Sequence, residues 1–150
     1  MFQRSLTIVA VSMMIAISGC VNRKINDLQP HVKLSTKSVT FNIFTENDFS
    51  DARWSDAKVQ IKLAVSRIKQ NRYQQKTEFD TTFAWIEFKD IPEAMRKIQV
   101  EKKLTSINES QESIYVSFAY TTSIDGYVMF AEKNSFIEKW EAKKEINIKF

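Results

Sequence analysis

Apolar and polar residues alternate with a period of two along much of the chain beyond residue 37. The cleanest stretch sets four apolar residues against the polar residues between them: Val59, Ile61, Leu63 and Val65 against Lys58, Gln60 and Lys62. Successive side chains of a β-strand point to opposite faces, so this pattern predicts a strand with one buried and one solvated face. Such strands are typical of antiparallel sheets.

The same periodicity predicts further short strands separated by polar connections. They lie near residues 38–43, 73–79, 83–89, 98–104, 114–124, 127–132 and 146–150. The polar stretches 45–55 and 105–112 are predicted as loops, and residues 90–93, which include Pro92, as a turn. Residues 73–79 are polar enough for an edge strand. The predicted fold is all-β: a small antiparallel β-sandwich of about seven or eight strands.

The stretch Ser135–Lys144 keeps two interpretations. Ser135 followed by Glu138 matches a capping box, which would open a short helix. The stretch is equally compatible with another strand, and the pattern alone does not decide between the two.

The dipeptide Asp125-Gly126 predicts a tight β-hairpin. Gly126 supplies the positive φ that a type I′ turn requires. In a two-residue turn Ile124 opposes Tyr127, and opposed residues share one face of the sheet. This register predicts two apolar faces near the turn. One face holds Ile114, Val116, Phe118, Tyr120, Ile124, Tyr127, Met129 and Ala131, and the other holds Tyr115, Ala119, Val128 and Phe130.

The second of these apolar faces requires cover, because a sheet in a two-layer sandwich has only one dry face. We predict a docking surface for an apolar partner segment, with Tyr115, Val128 and Phe130 as partner-binding residues. The alternative is that the C-terminal segment with Phe136, Ile137 and Trp140 covers this face, or that a bulge changes the register.

Two other pairs of aromatic residues could each lie either in the core or at an interface. Phe83 and Trp85 are predicted to lie in the core, since aromatic residues are common in sandwich cores. Phe49 and Trp54 stand in the polar loop 45–55 and are predicted as interface residues, because aromatic side chains are enriched at protein interfaces.

Composition argues against several classes of function. The 22 Lys+Arg and 18 Asp+Glu residues are interspersed without a basic block, so nucleic acid is not a predicted partner. Cys20 is the only cysteine and His31 the only histidine, which leaves no metal-ligand cluster or histidine-dependent triad. No nucleophile elbow or phosphate loop is present. We predict that the protein is not an enzyme and binds no cofactor apart from covalent lipid.

The first twenty residues carry a targeting signal. Arg4 precedes an apolar run of about a dozen residues, which is shorter than the roughly twenty residues a membrane span needs. The run ends in Ile17-Ser18-Gly19-Cys20, which resembles the bacterial lipobox: an aliphatic residue, two small residues and a cysteine. The resemblance implies cleavage after Gly19 and attachment of diacylglycerol and an N-acyl chain to Cys20.

This resemblance divides the chain into three parts. Residues 1–19 are the signal peptide, residues 20–36 an acylated tether, and residues 37–150 the β-sandwich domain. Several acyl chains on one residue give stable membrane attachment. Aspartate after the cysteine would retain a lipoprotein in the inner membrane. Val21 stands there instead, which implies delivery by the lipoprotein sorting machinery to the periplasmic face of the outer membrane.

The chain is similar in layout to the YscW-type pilotins, small outer-membrane lipoproteins of type III secretion systems. The likeness rests on the strand 57–65, the segment 75–81, the strand and proline turn 86–92, and the hairpin 114–133, behind a lipobox and short tether. It implies an assembly factor whose apolar groove holds a C-terminal segment of the secretin. The loop 45–55 departs from that layout.

Two alternatives stay open. The sandwich lipoproteins of type VI secretion tether a membrane complex and dock a partner through a protruding loop. In this chain that loop would be residues 45–55, with Phe49 and Trp54 as its contacts. The other alternative is an envelope lipoprotein that captures a soluble ligand or acts as an inhibitor.

Overall fold

A computed structural model describes residues 32–70 and 74–150. The predictions for the signal peptide, for Cys20 and for most of the tether lie outside the described residues. Eight strands follow one another within the described part: β1 (Leu34–Phe44), β2 (Lys58–Lys69), β3 (Gln74–Thr82), β4 (Ile86–Glu87), β5 (Ile98–Asn108), β6 (Glu112–Ile124), β7 (Tyr127–Ile137) and β8 (Lys143–Lys149). Short 3-10 turns lie at Ala52–Trp54, Phe88–Asp90 and Ala94–Arg96.

These strands form two sheets. In the three-stranded sheet β1 lies between β5 and β8, and in the larger sheet the order is β3-β2-β6-β7, with β4 paired to the start of β2. All neighbours are antiparallel except β1 and β8, which run parallel. No hairpin constrains that pair, because the chain reaches β8 from β7 in the other sheet. The predicted β-sandwich is confirmed, with this one parallel pair added.

The core lies between the two sheets. It holds Val39, Phe41 and Ile43 of β1, Val59, Ile61, Leu63 and Val65 of β2, Ile107 of β5, Ile114, Val116 and Phe118 of β6, and Ile148 of β8. The four apolar residues of β2 are fully buried, as the alternation predicted. Each such side chain stabilises the fold by roughly 1.5–3 kcal/mol through removal of apolar surface from water.

The predicted β6–β7 hairpin is confirmed in turn and register. Asp125 and Gly126 have φ values of +49° and +79°, the two positive values of a type I′ turn. Ile124 pairs with Tyr127, and the register runs without a shift to the far end of β7. The two apolar faces therefore contain the residues that the turn predicted.

The first strand reaches into the predicted tether. β1 begins at Leu34, before the predicted start of the domain at residue 37. Its first residues lack apolar alternation because their side chains bind polar groups. Ser35 Oγ donates to the Glu109 carboxylate at 2.7 Å, and Lys37 Nζ lies 3.0 Å from the same carboxylate.

The predicted loop at residues 105–112 is wrong, because β5 and β6 continue into it and leave only the turn Glu109–Gln111. The alternation is interrupted in β5 by a bulge, in which Thr105 and Ser106 together oppose one residue of β1. Ser106 has φ +55°, and the extra residue brings Ile107 back to the core side. A bulge changes the period locally, which is why the pattern resembled a loop.

The predicted strand 83–89 is mostly wrong. Only Ile86–Glu87 pair with β2, and the chain then enters a 3-10 turn. The backbone N–H of Phe88 donates to Ala57 at 3.0 Å, which places the Phe88 ring in the core. Phe83 packs against the core as predicted, whereas Trp85 is 43% exposed, so its predicted core position is wrong. Its ring instead faces the ammonium of Lys58 at 5.3 Å.

The stretch Ser135–Lys144 contains no helix. β7 continues to Ile137, a turn follows, and β8 begins at Lys143. The buried Lys37 Nζ caps that turn by donating to the carbonyl oxygens of Glu138 at 2.7 Å and Glu141 at 2.8 Å. A capping box would satisfy only the backbone N–H groups at the start of a helix. The hydrogen bonds from Lys37, which is distant in the chain, instead hold this segment as a strand and a turn.

Candidate docking surface at strand β7

The predicted partner-binding residues Tyr115, Val128 and Phe130 lie on the outer face of the five-stranded sheet. Val128 and Phe130 are each 67% exposed, and Tyr115 is half-buried. Phe136 joins them, with its ring 5.3 Å from that of Tyr115. Of the C-terminal segment, Phe136 packs on the Tyr115 end of this face, whereas Val128 and Phe130 stay uncovered and Trp140 is itself 84% exposed.

The tip of β7 is exposed on its other face as well. Tyr127 is 77% exposed and Met129 57%, although both share a face with core residues of β6. We call the run Tyr127–Phe130 the apolar tip. Scattered exposed apolar residues are ordinary, but a contiguous patch usually marks an interaction site.

The backbone of β7 has no neighbouring strand along one side, because β7 is the last strand of its sheet. Lys144 Nζ reaches one group on that side, the Phe136 carbonyl, at 2.8 Å. A two-residue hairpin makes Ile124 and Tyr127 a hydrogen-bonded pair, and such pairs alternate along an antiparallel ladder. The other set of β7 residues therefore directs its N–H and C=O groups outward. This set comprises Val128, Phe130, Glu132, Asn134 and Phe136.

A shallow groove of about 360 Å³ crosses the outer face beside Phe130. Its floor is made of small side chains from the two central strands, among them Ala64 and Ser66 of β2 and Ser117 and Ala119 of β6. The face is therefore concave in the middle.

A second and larger cleft, of about 690 Å³, opens along the edge of β7 on the core side. Its aromatic walls are formed by Phe49, Trp54, Phe88, Tyr120 and Phe150, and Met129 and Ala131 of β7 complete it. The rings of Phe49 and Phe88 lie 4.8 Å apart, and those of Tyr120 and Phe150 lie 5.3 Å apart. We call this cavity the aromatic cleft.

Phe49 and Trp54 thus lie in a wall of the cleft. Both are half-buried, and their rings are 5.2 Å apart in an edge-to-face contact. The loop folds back on the sandwich because Thr45 Oγ1 donates to the Phe150 carbonyl at 2.9 Å and Asn47 Nδ2 donates to it at 3.0 Å. The structure therefore brings the two sets of predicted partner residues to opposite sides of one strand.

One buried polar atom lines the aromatic cleft. The Thr122 side chain is 6% exposed, and its Oγ1 has no hydrogen-bond partner among residues 32–70 and 74–150. A buried hydroxyl without a partner costs roughly 1–3 kcal/mol. A group bound in the cleft would recover part of that cost by hydrogen bonding to Oγ1.

The charges around the cleft largely neutralise one another. Lys149 Nζ lies 2.6 Å from the Glu46 carboxylate, and the Arg53 guanidinium lies over the Trp54 ring at 5.4 Å. Hydrogen bonds from Ser50 lower the pKa of the Asp48 carboxyl below its ordinary value of 3.8. With these ions balanced at the rim, the interior suits an uncharged apolar group.

Several residues of this surface were missed by the sequence interpretation. Thr122 and Phe150 carry no signal of their own, since only the sandwich brings them together. Glu132 and Lys133, both exposed in the middle of β7, take part in none of the ion pairs found among the described residues. The hairpin register could have placed them, because it fixes which side of β7 each residue occupies.

Residues 32–70 and 74–150 contain no group of three or more metal-ligating side chains placed to hold an ion. No helix among them has the length and apolar character needed to cross a membrane. Comparison of the chain with protein-family models, with curated proteins and with solved structures finds no match.

Proposed function

We propose that this protein is a lipid-anchored assembly factor of the cell envelope, and that it acts as a pilotin for the secretin of a type III secretion system. The lipobox at Cys20 supports attachment to the periplasmic face of the outer membrane. The single observation that carries the binding role is the uncovered apolar surface of β7, formed by the apolar tip and Phe136.

Such a surface is suited to hold a segment of another protein. Interface cores are enriched in aromatic residues and in methionine, and depleted in charge. The apolar tip consists of two aromatic residues, a valine and a methionine, with no charged residue among them. In water this patch is costly to leave open, so a partner segment that covers it gains binding free energy.

The lipid and the surface act together in this proposal. The acyl chains on Cys20 direct the protein to the outer membrane, and a secretin segment held at β7 travels with it. The role is one of binding and delivery and requires no chemical step, so the protein is proposed to act without enzymatic activity.

The two alternative functions use other parts of the structure. A type VI tether needs a protruding loop, whereas Phe49 and Trp54 are packed against the sandwich. An envelope lipoprotein that captures a soluble ligand or inhibits a target would use the aromatic cleft. The geometry of β7 favours the pilotin over both, because its exposed apolar residues are contiguous and uncovered.

A pull-down from detergent-solubilised outer membranes tests this function. The acylated full-length protein is captured, and co-purifying proteins are identified by mass spectrometry. Wild type should recover a secretin, and the double variant Val128→Asp/Phe130→Asp should lose it. The matched control is Met95→Asp, which also places a charge at an exposed apolar position, 96% exposed, away from β7.

Thermal unfolding of each variant shows whether the fold is kept. Recovery of type VI membrane components in place of a secretin would contradict the pilotin role and favour the first alternative. Equal loss of the secretin in the Met95→Asp control would mean that the β7 surface is not responsible.

A further inference from the structure

We infer that β7 binds one extended segment of the partner protein as an added strand, and that a side chain of this segment enters the aromatic cleft. The identity of the partner rests on the proposed function, but the mode of binding is argued from the structure alone. Strand addition at a free sheet edge is a recurrent mode of peptide recognition.

The other sheet edges are protected against an added strand. β5 carries the charged run Glu101–Lys103 and the bulge at Thr105 and Ser106, and β8 carries Lys143, Lys144 and Lys149. Charged residues and bulges are the usual means by which proteins block edge pairing. The apolar tip of β7 has neither protection.

The free backbone sets the length of the segment. The outward-directed residues extend from Val128 to Phe136, which is nine residues of strand, and the last free group is the Phe136 N–H because Lys144 Nζ already donates to the Phe136 carbonyl at 2.8 Å. A strand of nine residues that pairs along this whole stretch hydrogen-bonds to every second residue of β7. Its side chains alternate between the outer face and the aromatic cleft.

The charges in the middle of β7 argue that the occupant is a different protein. In a symmetric antiparallel pair of two β7 strands with full overlap, Glu132 opposes its own copy. Like charges directly opposite each other destabilise a strand pair. A partner with lysine or arginine opposite Glu132 and an acidic residue opposite Lys133 makes two favourable pairs instead.

The two ends of the partner segment should carry apolar residues. On the outer face the segment covers Phe136 at one end and Val128 and Phe130 at the other. On the inner face the residue opposite Met129 lies at the mouth of the aromatic cleft, which Met129 and Ala131 border. We expect an aromatic or large aliphatic side chain at that position.

These expected residue types can be combined in one synthetic probe peptide. An antiparallel nine-residue peptide that fits is Phe-Thr-Thr-Glu-Lys-Thr-Val-Phe-Val, whose lysine lies opposite Glu132 and whose second phenylalanine lies opposite Met129. The control peptide exchanges the adjacent glutamate and lysine, so composition and hydrophobicity are unchanged. Fluorescence anisotropy of the labelled peptides with the full acylated protein in detergent gives both dissociation constants.

The matched peptide should bind at least about fivefold more tightly than the exchanged one, because two cross-strand pairs change sign. Equal affinity of the two peptides would overturn the proposed register.

A proline variant tests the backbone itself. In the hairpin register the N–H of Glu132 points away from β6, so Glu132→Pro should remove no hydrogen bond of the β6–β7 ladder, and proline is tolerated at such edge positions. Glu132→Ala is the matched control, since it loses the same charge and keeps the N–H. Matched-peptide binding should fall about tenfold further in Glu132→Pro than in Glu132→Ala.

Asn134→Pro removes the next outward N–H and serves as the second variant if Glu132→Pro lowers the unfolding midpoint. Unchanged peptide binding in a folded proline variant, together with loss in Val128→Asp/Phe130→Asp, would show docking on the outer face without strand addition. Dimers in sedimentation velocity that disappear in Glu132→Pro would identify a second copy as the occupant and overturn the proposal.

The same variants separate this inference from the proposed function. If wild type and Glu132→Pro recover the secretin equally, the pilotin role stands and strand addition fails. If the peptides behave as expected but no secretin is recovered, strand addition stands and the pilotin role fails.

Discussion

The two edge strands of the five-stranded sheet, β3 and β7, differ in how far they are protected from pairing with another strand. β3 starts with the exposed polar residues Gln74–Thr77, and Lys76, Glu78 and Asp80 take part in ion pairs. β7 starts with the apolar tip, and its central charges have no ion-pair partner among the described residues. The comparison indicates that one edge is closed to further strands and the other is suited to accept one.

We expect the largest loss of stability from substitution of Arg67 in β2, because its side chain links β3 to β6 and to the opposite sheet. Its guanidinium lies 3.2 Å from the carboxylates of both Glu78 and Glu112, and donates to the carbonyls of Thr105 and Ser106 in the opposite sheet. Arg67→Met leaves the nearly buried Glu112 carboxylate without an ion-pair partner among the described residues, and leaves Glu78 with Lys76 alone, whose side chain is 76% exposed. The free energy of unfolding should fall by about 3 kcal/mol in urea denaturation.

Arg67→Lys is the control for this prediction. It keeps the charge but loses the forked geometry, so an intermediate loss is expected. An unchanged unfolding midpoint for Arg67→Met would show that the cluster contributes nothing to closure of the sandwich.

Gly126→Ala tests the turn that supports the apolar tip. No atom lies within 4 Å of an added Cβ, so the cost arises only from the positive φ of +79°. That conformation costs an L-residue about 1–2 kcal/mol. Thermal unfolding should show a destabilisation of this size, with Asp125→Asn unchanged as the control. A neutral Gly126→Ala would mean that the turn changes type without loss.

The stability contributed by the turn between β5 and β6, which holds Glu109, should depend on pH. The Ser35 hydroxyl, and then the Lys37 ammonium, lower the pKa of the Glu109 carboxyl from its ordinary value of 4.5. A lowered pKa stabilises the fold above pH 4.5, and this stabilisation is lost as the pH falls through the lowered value. Stability measured from pH 7 to pH 3 should therefore decline less steeply in Glu109→Gln than in wild type. Parallel curves would contradict this assignment.

We expect the smallest effect on stability from placing charged residues on β7, as they occur on β3. Val128→Lys/Phe130→Lys replaces exposed side chains, so the free energy of unfolding should change by no more than about 0.5 kcal/mol. Lysine on an edge strand opposes strand addition. Partner and peptide binding should be lost while the unfolding midpoint stays the same. Retained binding would show that the β3–β7 difference has no role in docking.

The alternation of residues predicted most of the sandwich because burial on one face leaves a period of two in the sequence. It failed where the backbone departs from that period. The bulge at Thr105 and Ser106 made the end of β5 resemble a loop, and Phe88 reaches the core from a 3-10 turn that resembles part of a strand. Trp85 was placed in the core on its residue type alone, which carries no directional information.

The two-residue Asp-Gly turn alone is enough to specify the hairpin, its register and the two apolar faces, because it fixes every pair along β6 and β7. It also placed Tyr115, Val128 and Phe130 on one face. It is the packing of the two sheets that leaves this face uncovered, makes β7 an edge strand, and brings Phe49 and Trp54 into one cleft with Thr122 and Phe150. Those properties depend on which segments meet across the sandwich, and local periodicity contains no information about contacts between residues distant in the chain.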